Sequence, residues 1–183
     1  RLLMDQNFNK AVCKNMRLFV SGSAPLLTET FNNFQKLSGH TILERYCMSE
    51  TVMLVSNPYE GARIGGSVGV VLPGVEVRVV NESGQSCGPD EIGGIEVRGP
   101  NIFKGYWRMP EKTAEEFTND GWFKTGDVGR WGGETSAGKV PNHYLCIVGR
   151  NKDLIISGGY NVYPKEIESL IDERDGVEEM AVL

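Results

Sequence analysis

Apolar positions recur along this chain with two periods, and each switch between them marks an element. Arg17-Leu18-Phe19-Val20 is a short apolar run, predicting a strand that stops at Ser21-Gly22-Ser23-Ala24-Pro25. Phe31, Phe34 and Leu37 follow at helical spacing, with Thr28 the expected N-cap and the aromatic rings expected in the core. Gly39-His40-Thr41-Ile42-Leu43 then reads as a turn feeding a β-branched strand, with a polar cluster at its end. A loop rich in Gly and Pro covers 56–74. Beyond it, Val75-Glu76-Val77-Arg78-Val79 and Ile95-Glu96-Val97-Arg98 alternate strictly, and Asn81-Glu82-Ser83-Gly84 supplies a turn between them. That pattern predicts an antiparallel unit with one face half exposed.

Met109-Pro110-Glu111-Lys112-Thr113 opens a short helix with Pro in its first turn. Gly121-Trp122-Phe123-Lys124-Thr125-Gly126-Asp127 reads as a strand ending in a Gly-Asp step. The stretch 131–142 is polar and Gly-rich, as a solvated hairpin tip inserted between strands would be. Tyr144-Leu145-Cys146-Ile147-Val148 resumes the sheet, and Gly149-Arg150-Asn151-Lys152-Asp153 breaks it as a candidate domain boundary. A strand (Leu154-Ile155-Ile156), a glycine turn (Ser157-Gly158-Gly159) and a helix with Ile167, Leu170 and Ile171 on its apolar face come next. Residues 177–183 look like the start of a strand. The expected fold is mixed α/β: a sheet-and-helix domain with an antiparallel β subdomain over 1–151, then a hinge and the beginning of a small α+β domain over 152–183. So small a second unit cannot bury its own sheet, so the chain is expected to be a fragment of a longer protein.

Composition narrows the function. Of 183 residues, 40% are hydrophobic and 23% charged, with a net charge of −5. The mild acidity argues against nucleic acid as a partner. No apolar run approaches the ~20 residues of a transmembrane helix, and no targeting signal is visible at Arg1. Cys13, Cys47, Cys87 and Cys146 lie far apart with no CxxC pair, as free thiols in a reducing compartment would. An intracellular site, cytoplasm or mitochondrial matrix, is expected.

Candidate chemistry concentrates in Glu44-Arg45-Tyr46-Cys47-Met48-Ser49-Glu50-Thr51. Its aromatic face can cover a base, its hydroxyl can donate to a phosphate oxygen, and Glu50 can hold a hard cation. An ordinary polar loop is the competing reading. The small residues after Val20 would let a backbone approach a flat ligand, or would simply turn strand into helix. Asp127 could accept from two vicinal sugar hydroxyls, or could be a turn-forming aspartate.

Six blocks in this order resemble the adenylate-forming superfamily of acyl-CoA synthetases, luciferases and peptide-synthetase adenylation domains. They are Ser21-Gly22-Ser23-Ala24, Tyr46-Cys47-Met48-Ser49-Glu50-Thr51, Gly105-Tyr106-Trp107, Gly121 to Asp127, Gly149 to Asp153, and Gly158-Gly159-Tyr160-Asn161-Val162-Tyr163-Pro164-Lys165-Glu166-Ile167-Glu168. Within that superfamily, Glu44-Arg45-Tyr46 and the closing block look most like malonyl-CoA synthetases. The resemblance implies an ATP-dependent acid–CoA ligase that makes acyl-AMP and pyrophosphate, then transfers the acyl group to the CoA thiol. ATP, Mg²⁺ and CoA would be required, with malonate or another short acid as substrate.

By the same resemblance, Gly22, Ser23, Ala24, Pro25 and Tyr46 would enclose the adenine, and Glu44 would belong to the same ATP/AMP site. Ser49 would contact the α-phosphate, Glu50 would hold Mg²⁺, and Asp127 and Arg150 would bind the ribose. Lys152 would be the hinge between the half-reactions, and Ser157, Gly158 and Gly159 would line the CoA channel. Arg45, backed by Cys47 and Met53, would grip the second carboxylate of malonate; the competing role for Arg45 is a structural ion pair with Glu44 or another acid. Departures are Cys47 in place of the usual Gly, which should shorten the acyl pocket, Ser49 in place of Thr, and Asn142-His143-Tyr144 with extra residues in place of Asp-Gly-Tyr. The family's phosphate loop and catalytic lysine are absent from these residues, so the chain alone is not expected to adenylate. Alternatives are a ligase for another short-chain or aromatic acid, an adenylation domain loading a carrier protein, and a luciferase-like or degenerate binding module.

Overall fold

A computed structural model describes residues 2–24, 26–135, 138–158, 160–172, 174, 176–177 and 180–182. In chain order the elements are α1 (Lys10–Cys13), β1 (Val20–Ser21), α2 (Thr28–Ser38), β2 (Leu43–Met48), β3 (Val52–Ser56), β4 (Val70–Val71), β5 (Glu76–Val80), β6 (Gly93–Arg98), α3 (Pro110–Glu116), β7 (Phe123–Thr135), β8 (Gly138–Arg150), β9 (Ile155–Ser157), β10 (Tyr160–Val162) and α4 (Pro164–Asp172). The fold is mixed α/β with a large antiparallel component. One sheet runs β1-β2-β3-β4, a second β5-β6-β7-β8, and β9-β10 form a hairpin. Only β1 and β2 pair in parallel in the first sheet; its other pairs and the whole second sheet are antiparallel.

The two sheets close on one core. Tyr46, Leu54 and Val55 of the first sheet meet Val79, Ile95, Val97, Phe123 and Leu145 of the second. A bridge between Gly69 and Leu145 stitches the sheets together. On the far side of the first sheet, α2 buries Phe31 and Phe34 against Ile42, with Phe8, Phe19 and Leu26 around them.

Several expectations are corrected. The strand predicted over residues 17–20 is only Val20–Ser21. Thr28 is the first residue of α2, not its cap; Leu27 holds the cap position, no side chain caps the end, and Thr28 is buried. Leu37 is 42% exposed, while Ser38 is buried. At about 100° per residue, Ser38 returns to the face of Phe31 and Leu37 sits about 120° round from it. The polar cluster does not follow a strand: Glu44 to Met48 are β2 itself, and Ser49, Glu50 and Thr51 turn into β3. Likewise β7 does not end at the Gly-Asp step but runs thirteen residues through it. The 131–142 stretch does fall at the end of the β7–β8 hairpin, with Glu134, Gly138, Lys139, Pro141 and Asn142 exposed, but Val140 within it is buried completely against Ile64 and Val70. The strand β10 follows directly on the predicted glycine turn. In α4, Leu170 is exposed, not buried. Residues 177 and 180–182 form no strand.

Candidate functional site

A cleft of about 1290 Å³ opens where the end of β1, the strand β2, the open end of the β7–β8 pair and the start of α4 converge. It brings together Gly22, Ser23, Ala24, Glu44, Arg45, Tyr46, Cys47, Ser49, Glu50, Asp127, Arg150 and Lys152. Met53 does not line the cleft but stands behind Arg45. Ser157 and Gly158 sit exposed on the β9–β10 hairpin and do not line it. Pro25 and Gly159 lie outside the described residues.

Glycine allows a close approach at the mouth of the cleft. A Cβ on Gly22 would lie 3.2 Å from Arg45 Cγ and 3.3 Å from its carbonyl oxygen, so a side chain there would make Arg45 shift by a few tenths of an ångström. Strand alternation then separates the residues of β2. Arg45 and Cys47 share a face, and the Arg45 guanidinium donates to Cys47 Sγ at 3.1 Å and to Met53 Sδ at 2.9 Å. Among the described residues Arg45 has no carboxylate partner, so the structural ion pair with Glu44 is not formed. Sulfur is a weak acceptor, which leaves the guanidinium's charge uncompensated beside the cleft.

Glu44 and Tyr46 face the other way, into the protein. Glu44 is 6% exposed, and its Oε1 has no hydrogen-bond partner among the described residues. Burial pushes its pKa up to about 8, opposed by the backbone amide of Gly66. Tyr46 packs in the core, and its hydroxyl donates to Asp127 Oδ2 at 2.5 Å across 81 residues of sequence. Burial, then the Asp127 charge, push the tyrosine pKa well above its ordinary value.

Asp127 and Arg150 are direct cross-strand partners on β7 and β8, with Arg150 Nε 3.4 Å from Asp127 Oδ1. The Asp127 amide also donates to Thr125 Oγ1 at 3.1 Å. Burial raises the Asp127 pKa, while the Tyr46 hydroxyl and Arg150 pull it back down. The result is a carboxylate at the cleft wall held from both sides.

Two residues that sequence reasoning left without a role fasten the β2–β3 turn. Tyr106 donates its hydroxyl to Glu50 Oε1 at 3.1 Å, and Asn101 Nδ2 donates to the carbonyls of Thr51 at 2.6 Å and Met53 at 3.1 Å. Tyr106 lies in a block that the family resemblance marks; no signal in the chain points to Asn101. Glu50 fits a Mg²⁺ brought in with a phosphate, because that ion commonly takes one or two carboxylates and fills its remaining positions with phosphate oxygens and water. No cluster of three or more His, Cys, Asp or Glu residues able to hold a metal occurs among the described residues. Nor is any helix among them long and apolar enough to cross a membrane.

Comparison with known proteins matches residues 1–107 to the AMP-binding enzyme family. The malonate–CoA ligase of Arabidopsis thaliana is 41% identical over 179 residues, covering 97% of this chain and 28% of that protein. The mitochondrial malonate–CoA ligase ACSF3 of Mus musculus is 40% identical over 199 residues, covering 97% of this chain and 33% of that one. Among solved structures, ATP-bound MatB from Rhodopseudomonas palustris superposes with a TM-score of 0.92 at 53% identity, over 100% of this chain and 35% of that chain. The chain thus spans about a third of the length of the curated relatives it matches.

Proposed function

The chain belongs to the AMP-binding enzyme family, and from that premise we propose that it is part of an ATP-dependent acid–CoA ligase whose acid is malonate. The observation that carries the choice of acid is Arg45: a guanidinium lining the cleft, donating to two sulfurs and paired with no carboxylate among the described residues. Malonate differs from acetate by a second carboxylate, and a guanidinium can bind that group through two parallel hydrogen bonds. Cys47 and Met53 orient Arg45 and limit the depth behind it, favouring a short acid.

In this reading Tyr46 and the loop at Gly22, Ser23 and Ala24 enclose the adenine, with Glu44 in the same cleft. The ribose hydroxyls donate to lone pairs that Asp127 keeps free beside its bonds to Tyr46 and Arg150. Ser49 donates to the α-phosphate. Mg²⁺ bound at Glu50 would neutralise phosphate charge, while Tyr106 orients that carboxylate from behind. The first carboxylate of malonate attacks the α-phosphorus and releases pyrophosphate, and the CoA thiol then attacks the acyl carbonyl and releases AMP. Alignment of the reacting groups and neutralisation of developing charge supply the acceleration. Residues 1–151 act as part of the large domain and 152–183 as the start of a small one. Lys152, exposed in the 3-10 turn Asn151–Asp153 directly after β8, serves as the hinge. The β9–β10 hairpin with Ser157 and Gly158 meets CoA after that rotation. The free cysteines and the mitochondrial relative support a place in the cytosol or the mitochondrial matrix.

The test is Arg45→Ala in the full-length enzyme. Malonate activity should fall by about 2–5 kcal/mol in transition-state stabilisation, the range for removing one partner of a buried charge pair, and acetate or propionate activity should fall far less. Equal losses for malonate and acetate would make Arg45 a structural residue and remove the case for malonate.

A further inference from the structure

Glu50 stands on the turn between β2 and β3, and the segment 101–106 clasps that turn by main chain and side chain together. The Phe103 amide donates to the Glu50 carbonyl at 2.7 Å, Asn101 Nδ2 donates to the Thr51 carbonyl at 2.6 Å, and the Tyr106 hydroxyl donates to Glu50 Oε1 at 3.1 Å. Of these three bonds, only the tyrosine's reaches the carboxylate. The other two fix where the turn sits and leave the side-chain torsions of Glu50 free. What directs the carboxylate is therefore whatever holds Tyr106.

Two groups hold it. Phe103 packs edge-on against the Tyr106 ring, with centroids 4.8 Å apart, and is itself seated against Phe117 and Phe123. The second group is on α3. Thr113 Oγ1 accepts from the Tyr106 amide at 2.9 Å and donates to the Met109 carbonyl at 2.8 Å, so a single hydroxyl ties the 106–109 backbone to the helix. Gly105 permits the close approach: it has φ +146°, and a Cβ there would lie 2.6 Å from Thr113 Cγ2. Tyr106 lines the cleft, and Thr113 does not.

We infer that Thr113 is a positioning residue for the Glu50 carboxylate, acting through Tyr106, and that it sets how well the cleft takes up Mg²⁺ together with ATP. This rests on the reading that Glu50 holds Mg²⁺ in an ATP site. Mg²⁺ demands near-ideal octahedral geometry, so a ligating carboxylate that wanders among rotamers binds it less well. A group that orients such a ligand is commonly worth about 10- to 100-fold in metal affinity. Thr113 acts at one remove from the carboxylate, so its effect is smaller than that of Tyr106.

The test is calorimetric titration of the full-length enzyme with ATP, the acid omitted, in excess Mg²⁺ and again in EDTA. The ratio of the two Kd values reads the Mg²⁺-dependent gain in affinity without turnover. Tyr106→Phe should cut that gain about tenfold. Thr113→Val, which keeps the shape of the side chain and loses its hydroxyl, should cut it about three- to fivefold. The Kd in EDTA should stay within about twofold of the parent in both. Thr113→Ser keeps the hydroxyl and should keep the parental gain. In the Tyr106→Phe background Thr113→Val should cost nothing further, because its effect passes through the missing phenol hydroxyl. Should Thr113→Val not fold, Thr113→Ala, a better helix former, carries the same comparison. A parental gain in the folded Thr113 variants overturns the inference, as do equal losses in Mg²⁺ and EDTA, a Ser variant as impaired as Val, or additive effects in the double variant. Glu50→Gln separates the two ideas. If it keeps the parental gain, the Mg²⁺ reading fails and the inference with it; if it abolishes the gain while Thr113→Val leaves it intact, the positioning role alone fails.

Discussion

Replacing Glu44 with Gln probes the electrostatics of the cleft floor through stability. Burial raises the carboxyl from 4.5, its ordinary value, to about 8. Between those two pH values the folded protein holds a proton that the unfolded chain has released. Stability contributed by the protonated Glu44 is therefore complete below about pH 4.5 and is lost as pH rises towards about 8. The slope over that window is about 1.4 kcal/mol per pH unit. Taken over 8 − 4.5 = 3.5 units, it sets a ceiling of about 5 kcal/mol. Gln has nearly the same shape and is neutral throughout, so it escapes this loss; the cost of burying its amide is constant with pH. The measurement is urea unfolding of the full-length protein at pH 5, 6, 7, 8 and 9, followed by tryptophan fluorescence. Trp131, packed against the shared core, gives a local signal. The difference in midpoint between variant and parent should move steadily in favour of Gln from pH 5 to pH 8 and level off above it. A difference that stays flat with pH would mean that Glu44 titrates as a solvated carboxylate, and the account of a buried, proton-holding floor would be wrong.

Glu50→Gln should remove the charged Mg²⁺ ligand and cut ATP–pyrophosphate exchange by orders of magnitude; near-normal exchange at ordinary Mg²⁺ would refute that role. Lys152→Pro should fix φ at the hinge and impair thioester formation more than adenylation, and equal loss of the two half-reactions counts against a hinge there. Val52 holds φ +55° on an exposed turn beside Glu50, a conformation that strains a β-branched residue. Val52→Gly should raise the unfolding free energy by about 1 kcal/mol, seen as a higher urea midpoint, strain relief outweighing glycine's greater unfolded freedom; a lower midpoint would show that the turn accommodates Val52 without strain.

Much of the fold was legible wherever a pattern is local. The alternation in 75–79 and 95–98 announced β5 and β6, and Pro110 announced the start of α3. The chemical inventory of the site was legible too, since Glu44 to Glu50, Asp127, Arg150 and Lys152 all reach one cleft. Where the pattern is broken, reading failed. Register shifts at Val128/Gly129 and Trp131/Gly133 interrupt the alternation of β7, so its second half reads as an insertion. The burial of Val140 depends on Ile64 and Val70, some seventy residues earlier, which no local period encodes.

By itself the sequence determined which short segments turn, alternate or coil, because those preferences come from neighbours a few residues apart. It also determined which functional groups were available. Only the tertiary structure decided their states. It joined Tyr46 to Asp127 and Tyr106 to Glu50, across 81 and 56 residues respectively. It left Arg45 among sulfurs, without a carboxylate among the described residues, and buried Glu44 deeply enough to keep a proton near neutral pH. Burial and partner choice are sums over residues that are distant along the chain, and those sums take values only once the two sheets have closed on their common core.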